Sequence, residues 1–151
     1  MSWFRRRGKM YVKKLHDDAI LPEYKSKGAA GFDLHAYLNC ASVAGLPGSE
    51  REVPCGIAVA IEPGFELQIR SRSGLRFRKR IQVYLGTIDN DFRGELTVLV
   101  ENHGIFPFTI KNGMRIAQGV VAPIDQVRII EVDELPASER GTNGFGSTGT
   151  D

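Results

Sequence analysis

A mainly β domain with one short helix is the fold class that the sequence predicts, and three observations predict it. From Ala29 onward glycine and proline punctuate the chain at short intervals, as they do where turns separate short elements. The segments between them are β-branched, aromatic or alternating, the pattern of half-buried strands. With 151 residues, 42% hydrophobic and 25% charged, the chain is long enough for one core and short for two. Many short strands with a single helix fit a sandwich or barrel-like domain.

The elements follow in chain order. Residues 1–9, MSWFRRRGK, read as a basic leader, mobile and solvated as charged chain ends commonly are; the domain proper is expected over 10–139. After Met10, the alternation Tyr11-Val12-Lys13-Lys14-Leu15 begins a strand. Gly56–Ile61 reads as a second strand, Glu62-Pro63-Gly64 as a turn, and Phe65–Arg70 as the returning strand of a hairpin, with Phe65, Leu67 and Ile69 on one face. Ser73–Arg80 lacks strand alternation and opens on a serine suited to a helix N-cap. A hairpin is expected over Gly86–Gly94, with Asn90-Asp91 near its tip. Leu96–Val100 and Val127–Val132 are further strand candidates. Asn112-Gly113 marks a tight turn between Phe108-Thr109-Ile110 and Met114-Arg115-Ile116. Residues 140–151 form a glycine-rich arm.

Composition narrows the functional classes. A net charge of +2 gives no global field to recruit nucleic acid, so neither a nucleic acid nor a membrane is an expected partner, although a local cluster can hold an anion. Two cysteines, Cys40 and Cys55, are too few for a disulfide framework and read as reduced, structural thiols. No apolar run suits a membrane span or a secretory signal, which points to the cytosol. His16, His35 and His103 show no metal-ligand spacing, and neither a covalent triad nor a Walker-type lysine motif is present.

Five stretches carry chemistry. In the arm, Arg140-Gly141-Thr142-Asn143-Gly144-Phe145-Gly146-Ser147-Thr148-Gly149 combines glycines that admit close backbone approach, two terminal hydroxyls and a permanent charge. It suits a polyphosphate, with the Phe145 ring free to stack on a base; a loose terminal tail is the bland alternative. Arg72-Ser73-Gly74-Leu75 offers a hydroxyl, amides and a guanidinium at a helix start, or simply a capped helix. Gly86-Thr87-Ile88-Asp89-Asn90-Asp91-Phe92-Arg93-Gly94 presents carboxylates beside a ring; Asp89 can be a general base, or Asp89 and Asp91 can be turn residues paired with Arg93. Asp33 in Ala29-Ala30-Gly31-Phe32-Asp33-Leu34 needs compensation by hydrogen bonds or a cation, and can support a metal or bind backbone amides. Gln118 in Arg115-Ile116-Ala117-Gln118 needs a partner, either a ligand phosphate or neighbouring backbone.

Taken in order, AAGFDL, RSRSGL, GTIDNDFRG, RIAQ and RGTNGFGSTG resemble the five ordered motifs of the trimeric dUTP diphosphatase (dUTPase) family, across residues 10–149. The resemblance implies an antiparallel β jelly-roll of the dUTPase-like β-clip kind, a homotrimer with active sites at subunit interfaces, and hydrolysis of dUTP to dUMP and pyrophosphate. It implies that Asp89 activates the attacking water and that Phe92, more often a tyrosine, packs on the deoxyribose. The hairpin around Leu85 to Asp91, which includes Gly86, Thr87 and Ile88, would read uracil largely through backbone groups. Arg72, Ser73, Gly74 and Gln118 would contact phosphates, and Asp33 would bind the water shell of Mg²⁺. From the arm, Arg140 would meet the γ-phosphate and Phe145 the uracil, with Gly144, Gly146, Ser147 and Thr148 wrapping the substrate. Ser71 in place of a usual proline, Asn143 in place of a glycine, and Phe92 depart from the family pattern. Alternatives are a related dCTP deaminase, or a regulatory protein that uses dUTP to switch a partner.

Overall fold

The computed structural model describes residues 8–142. The strands are β1 (Met10–Lys14), β2 (Phe32–His35), β3 (Ser42–Gly45), β4 (Glu50–Ile61), β5 (Phe65–Ser71), β6 (Ile81–Val83), β7 (Gly86–Ile88), β8 (Glu95–Asn102), β9 (Phe108–Lys111) and β10 (Arg115–Pro123), with one helix, α1 (Ser73–Lys79). The mainly β class with one short helix is therefore as expected. All strand pairs are antiparallel. They form two four-stranded sheets, ordered β1-β4-β8-β6 and β2-β10-β5-β7, and a two-stranded sheet β3-β9.

Burial follows the pleat. In β8 the side chains of Leu96, Val98, Val100 and Asn102 point inward at every second position, as a period of two requires. Leu96, Val98 and Val100 meet Val53, Cys55, Ile57 and Val59 of β4, while Leu34, Leu67, Ile69 and Ile116 come from the other four-stranded sheet; all belong to one hydrophobic cluster. Gly56 interrupts β4 at a positive φ of 68°, where the register with β8 shifts between Pro54 and Ala58. A side chain there would lie 2.7 Å from the Tyr37 ring, so the bulge needs glycine on two counts.

None of the strand pairs joins neighbours in sequence, and this corrects the two expected hairpins. The Glu62-Pro63-Gly64 turn forms, with Phe65 N–H donating to the Glu62 carbonyl at 3.3 Å, but β4 and β5 then enter different sheets. The Asn90-Asp91 turn forms as well, yet β7 pairs with β5 and β8 with β4 and β6, so residues 89–94 cross from one sheet to the other. The tight turn expected at Asn112-Gly113 forms, with Met114 N–H donating to the Lys111 carbonyl at 3.0 Å, and it separates β9, paired to β3, from β10, paired to β2 and β5. In both cases where a hairpin was expected, the returning strand joins the other four-stranded sheet instead of lying beside its predecessor.

Three further expectations change. Val127–Val132 forms no strand; Val127, Ile129, Ile130 and Val132 are all exposed, Ile129 at 92%, because no strand edge of the described chain runs beside them to supply a ladder. The helix cap is Arg72 instead of Ser73, with extended backbone and no side-chain capping bond. Both cysteines are free, but only Cys55 is buried; burial pushes its thiol up to about 12, whereas Cys40 lies on the surface and is not structural. Among the described residues no helix is long and apolar enough to cross a membrane.

Candidate active site

The site is organised by one buried carboxylate. β2 lies against β10 with Asp33 opposite Gln118, which places Asp33 at the sheet surface with only 9% exposure. Its Oδ1 accepts from Arg72 Nε at 3.0 Å and its Oδ2 from Arg115 Nη1 at 3.1 Å. Two cations, and not backbone amides alone, thus compensate the burial that the sequence signalled. The Arg72 side chain is 28% exposed against 47% for Arg115, so the Arg72 pair is the less screened of the two. Arg72 Nη1 also donates to the Arg115 carbonyl at 3.1 Å, locking the guanidinium between β10 and the start of α1.

Around this anchor sit the other phosphate candidates. Ser73 and Gly74 occupy the first turn of α1, where a helix has N–H groups without internal acceptors. Gln118 donates through Nε2 to the Ser71 carbonyl at 2.9 Å, so its partner is the neighbouring backbone. Gly31 makes room for that amide: a Cβ there would stand 2.9 Å from the Gly119 carbonyl and 3.1 Å from Gln118 Oε1. A cavity of about 240 Å³ is lined by Lys25, Ala29, Gly31, Asp33, Arg72, Ser73, Gly74, Arg115 and Gln118. Lys25 is matched by Glu23 at 2.6 Å, while Asp33 is shared by two arginines, so the cluster keeps a surplus positive charge suited to an anion. A second cavity of about 470 Å³, reached past Ser73 and Gln118, is bounded by Arg76, Phe77, Val83 and Leu85.

The Gly86–Gly94 loop is held differently. Arg93 Nη1 donates to the carbonyls of Asn90 at 2.6 Å and Phe92 at 2.8 Å, and Phe92 N–H donates to the Asp89 carbonyl at 3.2 Å. The arginine therefore ties the backbone, and the expected pairing of Asp89 or Asp91 with Arg93 does not form. Asp89 is exposed. Phe92 is 43% exposed and its ring covers Gly94, where a Cβ would come within 2.5 Å of it.

One chain thus brings together Asp33, Arg72, Ser73, Gly74 and Gln118, while Gly86, Thr87, Ile88, Asp89 and Phe92 line neither cavity. Arg140 is exposed; Gly144, Phe145, Gly146, Ser147 and Thr148 lie outside the described residues. Arg115 is the residue that sequence reasoning left without a role. The only signal in the sequence was the requirement that Asp33 find a cation; that Arg115 is one follows from the β2–β10 register, which sets Gln118 opposite Asp33. Beside the cluster, burial lowers the pKa of His35, with Asp33 opposing the effect and Lys25, Arg115 and Arg72 adding to it.

The dUTPase family model matches residues 17–149. The deoxyuridine 5'-triphosphate nucleotidohydrolase of Nautilia profundicola is 50% identical over 143 residues, covering 93% of this chain and 99% of the relative. That of Rhizobium rhizogenes is 51% identical over 132 residues, covering 85% of each. Among solved structures, the Staphylococcus bacteriophage 80alpha dUTPase with dUPNHPP superposes with a TM-score of 0.85 at 27% identity, over 93% of this chain and 98% of that one. The chain belongs to the dUTPase family.

Proposed function

We propose that the chain hydrolyses dUTP to dUMP and pyrophosphate, and the observation that carries this reading is the Asp33-held pair Arg72 and Arg115 beside Ser73 and Gln118. A triphosphate laid along that cavity meets guanidinium, hydroxyl and amide groups. Asp89 takes a proton from water as the water oxygen bonds to the α-phosphorus; the bond to the oxygen bridging the α- and β-phosphates breaks, and pyrophosphate leaves. The absence of an ion pair between Arg93 and Asp89 supports a carboxylate able to do this. Strand β7 is at the end of its sheet, so among the described residues the outer backbone groups of Gly86–Ile88 are free of a ladder and suited to reading the edge of uracil. Phe92 packs on the deoxyribose. Arg140 meets the γ-phosphate and Phe145 stacks on the base, while Gly144, Gly146, Ser147 and Thr148 close over the phosphates.

Mg²⁺ fits this site through water. Both Asp33 oxygens already accept from arginines, and each retains a lone pair for a metal-bound water. Among the described residues no group of three His, Cys, Asp or Glu side chains is placed to hold a metal, as suits an ion carried by the substrate's own phosphates. When bound, Mg²⁺ neutralises charge on the triphosphate and its leaving group.

Three copies are proposed to complete the site in the cytosol. Asp89 lies away from the two phosphate-side cavities of its own chain, and the exposed apolar residues of Val127–Val132 supply surface for a neighbour to cover.

Incubating the protein with dUTP, dCTP or dTTP plus Mg²⁺ tests the reading: pyrophosphate from dUTP alone is expected, and ammonia from dCTP would identify a deaminase instead. Asp89→Asn keeps the shape without the base, so kcat should fall by about 100-fold or more while dUTP binding persists. Unchanged turnover would remove Asp89 from its role.

A further inference from the structure

A cleft outside that site remains unused by the reaction. Helix α1 buries only Leu75, so its remaining side chains contribute little to the core. Among them, Arg76, Arg78 and Lys79, followed by Arg80, make no side-chain hydrogen bond or ion pair among the described residues. Cations near a helix C-terminus are favourable through its dipole, which accounts for one or two of them. It does not account for Arg80, whose φ of 54° is a conformation in which a side chain is a cost.

Facing these cations across the cleft is an apolar wall that is held in place. Ile105 and Phe106 are 79% and 74% exposed, a costly display for two large side chains in one short turn. The turn is clamped from inside by Asn102, which is 3% exposed. Its Nδ2 donates to the carbonyls of Gly45 and Phe106, both at 2.9 Å, and its Oδ1 accepts from Gly104 N–H at 2.8 Å. His103 N–H donates to the Arg80 carbonyl at 2.9 Å, tying the turn to the end of the helix. Between them lies a cavity of about 510 Å³ lined by Arg78, Lys79 and Arg80 on one side and Ile105, Phe106 and Phe108 on the other, with no carboxylate in its lining.

We propose that this cleft binds single-stranded nucleic acid, with Arg78, Lys79 and Arg80 on the phosphates and Phe106 stacked on a base. A preformed wall of cations opposite an exposed ring is the arrangement that sequence-tolerant strand binding requires. Being concave, the cleft suits a splayed nucleotide better than a flat membrane surface. Carrying a ring and apolar side chains, it suits a base-bearing polyanion better than a purely acidic peptide. The nearly balanced net charge of +2 argued against such a partner only as a sum, whereas here the charge is segregated.

The test is fluorescence anisotropy of labelled (dT)20 with the full-length protein between 50 and 200 mM salt. Three phosphate contacts to a single strand give a slope near −2 in log K against log salt, so affinity should fall by about 20-fold over that range. Arg78→Ala with Lys79→Ala should bring the slope to about −0.7, and Phe106→Ala should weaken binding by about fivefold or more with the slope unchanged. All three variant positions lie outside the dUTP site, so hydrolysis of dUTP should be unaffected, and the two functions can fail separately. A variant with Arg5, Arg6 and Arg7 changed to serine should retain Phe106-dependent binding. The proposal is overturned if (dT)20 binds the wild type no better than the double alanine variant. Equal binding of poly-glutamate or phosphatidylserine vesicles, or loss of all binding on changing Arg5, Arg6 and Arg7, would also overturn it.

Discussion

Asp33 shows how a single buried charge dictates its surroundings. An acid among small and apolar residues had to find compensation, and the structure supplies it from Arg72 and Arg115; the need was legible in the sequence, the identity of the two arginines was not. Ser71 has an equally local logic. Its hydroxyl donates to the Val83 carbonyl at 3.0 Å and accepts from Val83 N–H at 2.8 Å, stitching β5 to β6 in a way that a proline at this position cannot. His35 carries a pH dependence. Burial pushes it below its ordinary value of 6.5, and its buried Nδ1 has no hydrogen-bond partner among the described residues. Below pH 6.5 the unfolded chain takes up a proton that the native His35 resists, so this residue's contribution is intact above that value and is lost as pH falls toward the native pKa. Thermal melts at pH 7 and pH 5 should therefore show a smaller loss of Tm for His35→Gln than for the wild type; equal losses would assign the acid limb to other groups.

At the scale of elements, local chemistry placed the turns but not the partners. Proline and glycine at Glu62-Pro63-Gly64, and Asn112-Gly113, bend the chain where expected, because turn preference resides in a few residues. The ladders that follow pair strands far apart in sequence, since pairing is settled by which faces bury together. Val127–Val132 makes the same point from the other side: β-branched residues without an adjacent edge do not make a strand. Helix α1 was expected over Ser73–Arg80 and spans Ser73–Lys79, with Arg80 in the left-handed conformation that closes it. Replacing Arg80 by glycine should stabilise the fold by about 1 kcal/mol in urea denaturation. It should at the same time weaken binding of (dT)20, since it removes a cation from the cleft. A loss of stability would mean that the arginine side chain packs more than its exposure suggests.

For the molecule as a whole, the proposed reaction requires Asp89, which lines neither phosphate-side cavity, to act on a triphosphate held by another copy. Deleting residues 140–151 should leave an assembly of three chains by sedimentation while dUTP turnover drops by about 100-fold or more, as expected when a closing segment supplies charge and excludes water. Dissociation into single chains would make the arm structural. By itself the sequence determined the β class, the turns, the short basic helix and the identity of the polar residues, because periodicity, backbone preference and side-chain chemistry are properties of short segments. Only the tertiary structure decided that Asp33 is shared by two arginines, that the expected hairpins cross between sheets, and that cations and rings face each other across a second cleft. Those outcomes depend on contacts between distant segments, which form only when the whole core is buried at once.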